Sequence, residues 1–118
     1  MIHLSMKRIN AYFFKLESGN EPVREWLMDL PKEDKKIIGA DIKLVEYGWP
    51  IGMPVCKPLG GGLYEVRSNI SRKTISRVIF CIEKDIMILL HAFIKKSQKT
   101  PEKDLALARN RKRILKNG

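Results

Sequence analysis

Two arginines, Arg67 and Arg77, stand inside apolar, β-branched stretches, LYEVRS and SRVIFCIE. An arginine set within a strand aims a planar fork of N–H donors at one side of a sheet, and such forks grip phosphate oxygens in pairs. Three lysines, Lys95, Lys96 and Lys99, crowd the end of the run IMILLHAFI, and Lys57 lies in a short extended segment upstream. If the strands pair in sequence order, these cations converge on one sheet surface. They could hold an RNA backbone. They could also offset the negative charge that grows when a 2′-hydroxyl attacks its neighbouring phosphate. Cleavage of that kind needs orientation, charge compensation and proton transfer, and no metal. Glu65 and His91 are the candidates for proton transfer. Each also has a structural alternative: Glu65 can orient Arg67, and His91, between Leu90 and Ala92, can be a satisfied packing histidine.

The elements that must position these residues are legible in the pattern. Residues 7–14, KRINAYFF, read as a first strand. Asn20 is placed to cap a helix with Pro22 in its first turn, and Val23, Trp26, Leu27 and Leu30 make its apolar stripe. Pro31 ends it. A second helix is expected from Lys32 to Tyr47, with Ile38, Ile42 and Val45 on one face and Gly48 at its stop. From residue 53 the period becomes two. PVCKPL reads as an edge strand, GGG at 60–62 as a hairpin turn, and EKD at 83–85 as a second tight turn.

Alternation then assigns two faces to the sheet. Tyr64, Val66, Val78, Phe80, Ile82, Ile86, Ile88, Leu90, Ala92 and Ile94 form the face expected to take the helices. Glu65, Arg67, Arg77, His91, Phe93 and Lys95 form the other. Thr100 is expected to cap a last helix, with Pro101 at its first position and a narrow stripe of Leu105, Ala108 and Leu115. Arg109, Arg111, Lys112 and Arg113 crowd the rest of that helix and are candidate RNA contacts, with Lys57 and Lys99.

Charge distribution supports an anionic partner. The chain of 118 residues carries a net charge of +10. Residues 1–56 hold eight Lys/Arg against eight Asp/Glu, and residues 57–118 hold fifteen against five, so all of the excess lies in the second half. Charge added for solubility would be spread more evenly. The length suits one domain over 1–118. Cys56, Cys81, His3 and His91 are scattered, so no metal site, disulfide framework or small-molecule cofactor is expected. The N-terminus reads as no signal peptide, and the run at 86–94 is too short for a membrane span, which points to a cytoplasmic protein.

GLYEVR, then RVIF, then LLHAFIKKSQKTP resembles the HigB-like, phage-derived branch of the RelE/ParE toxin superfamily. The resemblance implies an α+β fold: an N-terminal strand and a helical hairpin packed on a small, mostly antiparallel sheet, with a C-terminal helix. It implies the toxin of a type II toxin–antitoxin system, a metal-independent endoribonuclease that cuts mRNA on the translating ribosome. It further implies a helix-turn-helix antitoxin as partner. By position, Arg67, Arg77 and Lys95 or Lys96 match the basic active-site residues of RelE-like toxins. The chain departs from RelE in having Glu65 where RelE has a lysine, and in having no tyrosine after Tyr64. Two other readings stand beside this one. ParE-type relatives inhibit DNA gyrase by protein contact, and a non-catalytic RNA-binding module would bind RNA and arrest nothing.

Overall fold

The computed structural model describes residues 6–95 and 99–117. Its elements run β1 (Asn10–Phe13), α1 (Pro22–Met28), α2 (Lys32–Gly48), β2 (Cys56–Gly60), β3 (Leu63–Ile70), β4 (Thr74–Glu83), β5 (Ile86–Lys95) and α3 (Glu102–Asn117). The strands form one five-stranded sheet in the order β1-β5-β4-β3-β2. β2 to β5 pair antiparallel with their sequence neighbours, and β1 joins β5 in parallel. The expected α+β, RelE-like architecture is present.

The turns carry the residues their geometry requires. Gly60, Gly61 and Gly62 all have positive φ and close the β2–β3 hairpin, a conformation that costs a glycine nothing. Between β3 and β4, Arg72 and Lys73 adopt φ of 59° and 55°, which side chains disfavour. The buried carboxylate of Asp34, in the first turn of α2, holds that bend. It accepts the Ser71 backbone N–H at 3.1 Å and the Ser71 hydroxyl at 2.9 Å. α2 runs one residue past the expected span. The Asn20 cap is corrected: Glu21 precedes α1 without a side-chain capping bond. Asn20 instead belongs to the preceding turn, where its carbonyl accepts the Leu16 N–H at 2.8 Å.

The helical hairpin covers one face of the sheet. Val23, Ile38, Ile42 and Val45 pack there on Val66, Val78, Phe80, Met87, Leu89 and Ala92. The expected faces of β3 and β4 are correct. That of β5 is correct only in its second half, because a bulge interrupts the ladder. Ile79 pairs with His91 but Phe80 pairs with Leu89, so Leu90 is an extra residue. One inserted residue moves every earlier side chain to the opposite face. Met87 and Leu89, not Ile88 and Leu90, therefore face the hairpin.

The other face is not open along its length. Ala108 and Leu115 of α3 pack with Leu63, Ile79, Cys81, Leu90 and Phe93 in a second core. Arg111 holds α3 in place by donating to the carbonyl of the inserted Leu90 at 2.7 Å, with its guanidinium over the Phe14 ring. Thr100 does not cap α3 as expected. Its hydroxyl turns toward the sheet.

Candidate functional site

The ladder sorts the α3-bearing face into rows. Lys57, Glu65, Ile79 and His91 form one row; Arg67, Arg77 and Phe93 the next; Asn69, Ile75 and Lys95 the last. α3 covers the sheet on the Leu63 side of these rows. Beyond it a recess of about 230 Å³ opens between Arg67, Asn69 and Ile75 and the loop residues Met53 and Pro54.

Behind the recess lies a buried ionic cluster. Glu65 is fully buried, with Oε1 at 3.8 Å from Arg67 Nε and 4.0 Å from Arg77 Nη1. Its Oε2 accepts the Thr100 hydroxyl at 2.8 Å, and that hydroxyl accepts Arg77 Nη1 at 3.4 Å. Arg77 is also fully buried. Burial lowers its pKa from the ordinary arginine value; Glu65 opposes the shift and Arg67 adds to it. One carboxylate thus stands against two guanidiniums. Of the two, Arg67 lines the recess, and its side chain keeps 10% of its surface exposed.

The expected residues thus separate by depth. Arg67 and Arg77 are direct cross-strand partners on one face, both within 4.0 Å of the same carboxylate oxygen. Arg67 reaches the surface recess, whereas Arg77 lies where no phosphate can touch it as the structure stands. Glu65 is likewise enclosed, which suits a group that fixes two guanidiniums rather than one that takes a proton from a substrate. His91 Nε2 lies 2.7 Å from Asp104 Oδ1 of α3, with the ring stacked on Phe93. Its side chain therefore joins α3 to the sheet one row away from Arg67.

Lys95 is exposed at the end of β5, opposite Ile75 in the row that floors the recess. Lys57 sits opposite Glu65 on the edge strand. Lys99 is exposed beside Thr100, and Lys96 lies outside the described residues. On α3 the candidate RNA contacts divide. Arg109 and Arg113 are exposed and Lys112 is partly so, but Arg111 is turned into the protein and committed to Leu90 and Phe14.

Three further residues, Thr100, Asp104 and Asn69, belong to the site. Asn69 was within reach of the sequence, since β3 alternation carried two residues further puts it on the face of Arg67. Nothing local marks Thr100 or Asp104, whose roles depend on how α3 docks.

The family model for phage-derived Gp49-like proteins (DUF891) matches residues 25–113 of the chain, from α1 to the second half of α3. That family is RelE-like and toxin-like. No curated protein matches the chain.

Proposed function

Because the chain belongs to the family of phage-derived Gp49-like proteins, we propose that it is the toxin of a type II toxin–antitoxin system of the HigB-like kind. In this reading it is an endoribonuclease that cuts mRNA on the translating ribosome and so inhibits translation. The observation that carries the reading is the recess where Arg67 meets Asn69 and Ile75, backed by the buried Glu65–Arg77–Thr100 cluster.

Arg67 binds non-bridging oxygens of the scissile phosphate. The 2′-oxygen of the preceding ribose forms a bond to phosphorus, the bond from phosphorus to the 5′-oxygen breaks, and a 2′,3′-cyclic phosphate results. Water takes the proton from the 2′-hydroxyl, and water returns one to the departing 5′-oxygen. Lys95 and Lys99, ammonium groups at the open end of the sheet, offset the charge on that oxygen. Arg77 contributes by position: together with Glu65 it holds the Arg67 guanidinium rigid, so little reorganisation is needed as charge develops. The helical hairpin, with balanced charge, has a packing role. A helix-turn-helix antitoxin is the expected partner that silences the toxin.

The test is induction of the chain in cells, with growth and primer extension on an abundant message as readouts. Cuts in register with codons, lost with soluble Arg67→Ala, are the expected result. Intact message with DNA damage would assign the chain to gyrase inhibition instead, and undiminished toxicity of Arg67→Ala would remove the recess from the mechanism.

A further inference from the structure

The α3-bearing side carries a second recess, of about 220 Å³, at the far end of the sheet. It is lined by Gly61 of the β2–β3 turn and by Arg109, Lys112, Arg113 and Lys116 of α3. The four cations fall at i, i+3, i+4 and i+7 and so share one helix face. Among the described residues no carboxylate lines the recess. Glu102 pairs with Arg109 at 2.8 Å from the first turn of the helix. Like charges at these spacings repel, each pair costing about 0.2–0.5 kcal/mol in an isolated helix. The helix dipole accounts for a cation in the last turn, which is Lys116, and for none of the three before it.

The glycine turn is shaped to this cluster. Lys112 Nζ donates to the Gly61 carbonyl at 3.0 Å, and a Cβ on Gly62 would lie 2.9 Å from that ammonium. The turn thus lets Lys112 lie directly against the backbone, which fixes one cation, with Arg113 and Lys116 beside it and Arg109 held by Glu102 at the edge. We propose that this recess binds a backbone phosphate of RNA, as an anchor separate from the Arg67 recess. In taking RNA as the polyanion, the inference rests on the function proposed above. Gly61 closes the β2–β3 hairpin and Arg67 lies four strand residues beyond Leu63, which puts the two recesses about 13–17 Å apart. A stacked strand advances about 3.4 Å per phosphate, so that gap corresponds to about four or five nucleotides. The anchor takes either the same message strand or a neighbouring strand of ribosomal RNA.

Binding of the full chain to ribosomes, to a 12-nucleotide RNA and to a 3-nucleotide RNA, measured across a salt series, tests this. The comparison is with the triple variant Arg109→Gln, Arg113→Gln, Lys116→Gln, its fold checked by thermal melting. A slope of log affinity against log salt shallower by about one to two, with affinity lower by about tenfold or more, is expected for the variant. If the loss appears on the 12-mer and not the 3-mer, the phosphate belongs to the message strand. If it appears on ribosomes alone, it belongs to ribosomal RNA. A folded variant with wild-type affinity and slope on ribosomes and on the 12-mer overturns the anchor. Inorganic phosphate titrated into the wild-type chain gives an independent reading by NMR. Shifts at the Gly61 and Gly62 amides support the site, and shifts confined to the Arg67 region overturn it. Cleavage of message is scored separately, by primer extension after induction of the wild-type chain in cells. Steep, recess-dependent binding in vitro by a chain that leaves message uncut on translating ribosomes would sink the nuclease reading and leave the anchor standing.

Discussion

Thr100 donates its hydroxyl hydrogen to Glu65 Oε2 at 2.8 Å, across 35 positions of sequence. This single bond ties the start of α3 to the buried carboxylate that fixes Arg67 and Arg77. Thr100 follows directly on Lys99, so the same bond fixes the backbone beside that lysine.

Thr100→Val keeps the shape of the side chain and removes the donor. A buried carboxylate oxygen that loses a partner costs about 1–3 kcal/mol, and the backbone next to Lys99 loses its tether to the sheet. We expect a melting temperature lower by several degrees and RNA cleavage lowered by at least tenfold, with Thr100→Ser restoring both. If Thr100→Val cleaves at the wild-type rate, the bond has no part in setting the site.

Arg67 and Arg77 should separate in mutagenesis. Arg67→Ala removes a group that faces the recess, so activity is lost with stability reduced only modestly. Arg77→Ala leaves Glu65 fully buried beside one remaining guanidinium. Breaking a buried pair from one side costs about 3–5 kcal/mol. Denaturant unfolding of the two variants checks this. Equal loss of stability would mean that Arg67 is as structural as Arg77. The double alanine variant is consequently a poor test of chemistry, because it also destabilises the fold.

The parts of the molecule that local pattern specifies are legible in the sequence. The α2 stripe of Ile38, Ile42 and Val45, the glycine turn at 60–62 and the faces of β3 and β4 depend on periods of 3.6 and 2 and on turn residues, all contained within short windows. Their consequence, Arg67 and Arg77 side by side on one face, was legible with them. What failed has a common cause. The β5 face depends on where the ladder slips, at Leu90, and no residue type there marks a slip. The contact of Arg77 with Thr100 and the inward turn of Arg111 both depend on how residues 100–117 dock on the sheet. Arg111 looks in sequence like its neighbours Lys112 and Arg113. Its role is decided by a carbonyl 21 positions away.

Burial raises the Cys56 and Cys81 thiols from 9.0 to about 11, with Glu65 and Glu83 respectively adding to the shift. A raised pKa means less thiolate in the folded chain, so both cysteines should resist alkylation at pH 8 until the protein unfolds. The linkage has a definite sign. The unfolded thiols lose protons near 9 and the folded ones near 11, so stability is complete below pH 9 and falls between 9 and 11. Each thiol contributes up to about 2–3 kcal/mol to that fall. Alkylation rates that match those of the denatured chain at pH 8 would show the two sites to be open.

Arg111 is the strongest case for a basic residue of α3 that has nothing to do with RNA. Its guanidinium donates at 2.7 Å to the carbonyl of Leu90, the residue inserted at the β5 bulge, and sits 5.8 Å from the centre of the Phe14 ring. A bulged residue falls out of the regular ladder, and a buried carbonyl without a partner costs about 1–3 kcal/mol. Burial accordingly lowers the Arg111 pKa from its ordinary value, the mark of a charge held out of water. Arg111→Leu fills similar space with no donor. It should lower stability by about 2–4 kcal/mol through the lost hydrogen bond and the lost cation–ring contact. Exposed Arg113, one helix position beyond its neighbour Lys112, should behave in the opposite way on substitution by Gln. Its variant is expected to keep wild-type stability and to lose salt-dependent RNA affinity. Denaturant midpoints and salt slopes measured on both variants decide the matter. A shallower salt slope in Arg111→Leu, or an unchanged slope in Arg113→Gln, would mean that the inner and outer faces of α3 have been assigned the wrong way round.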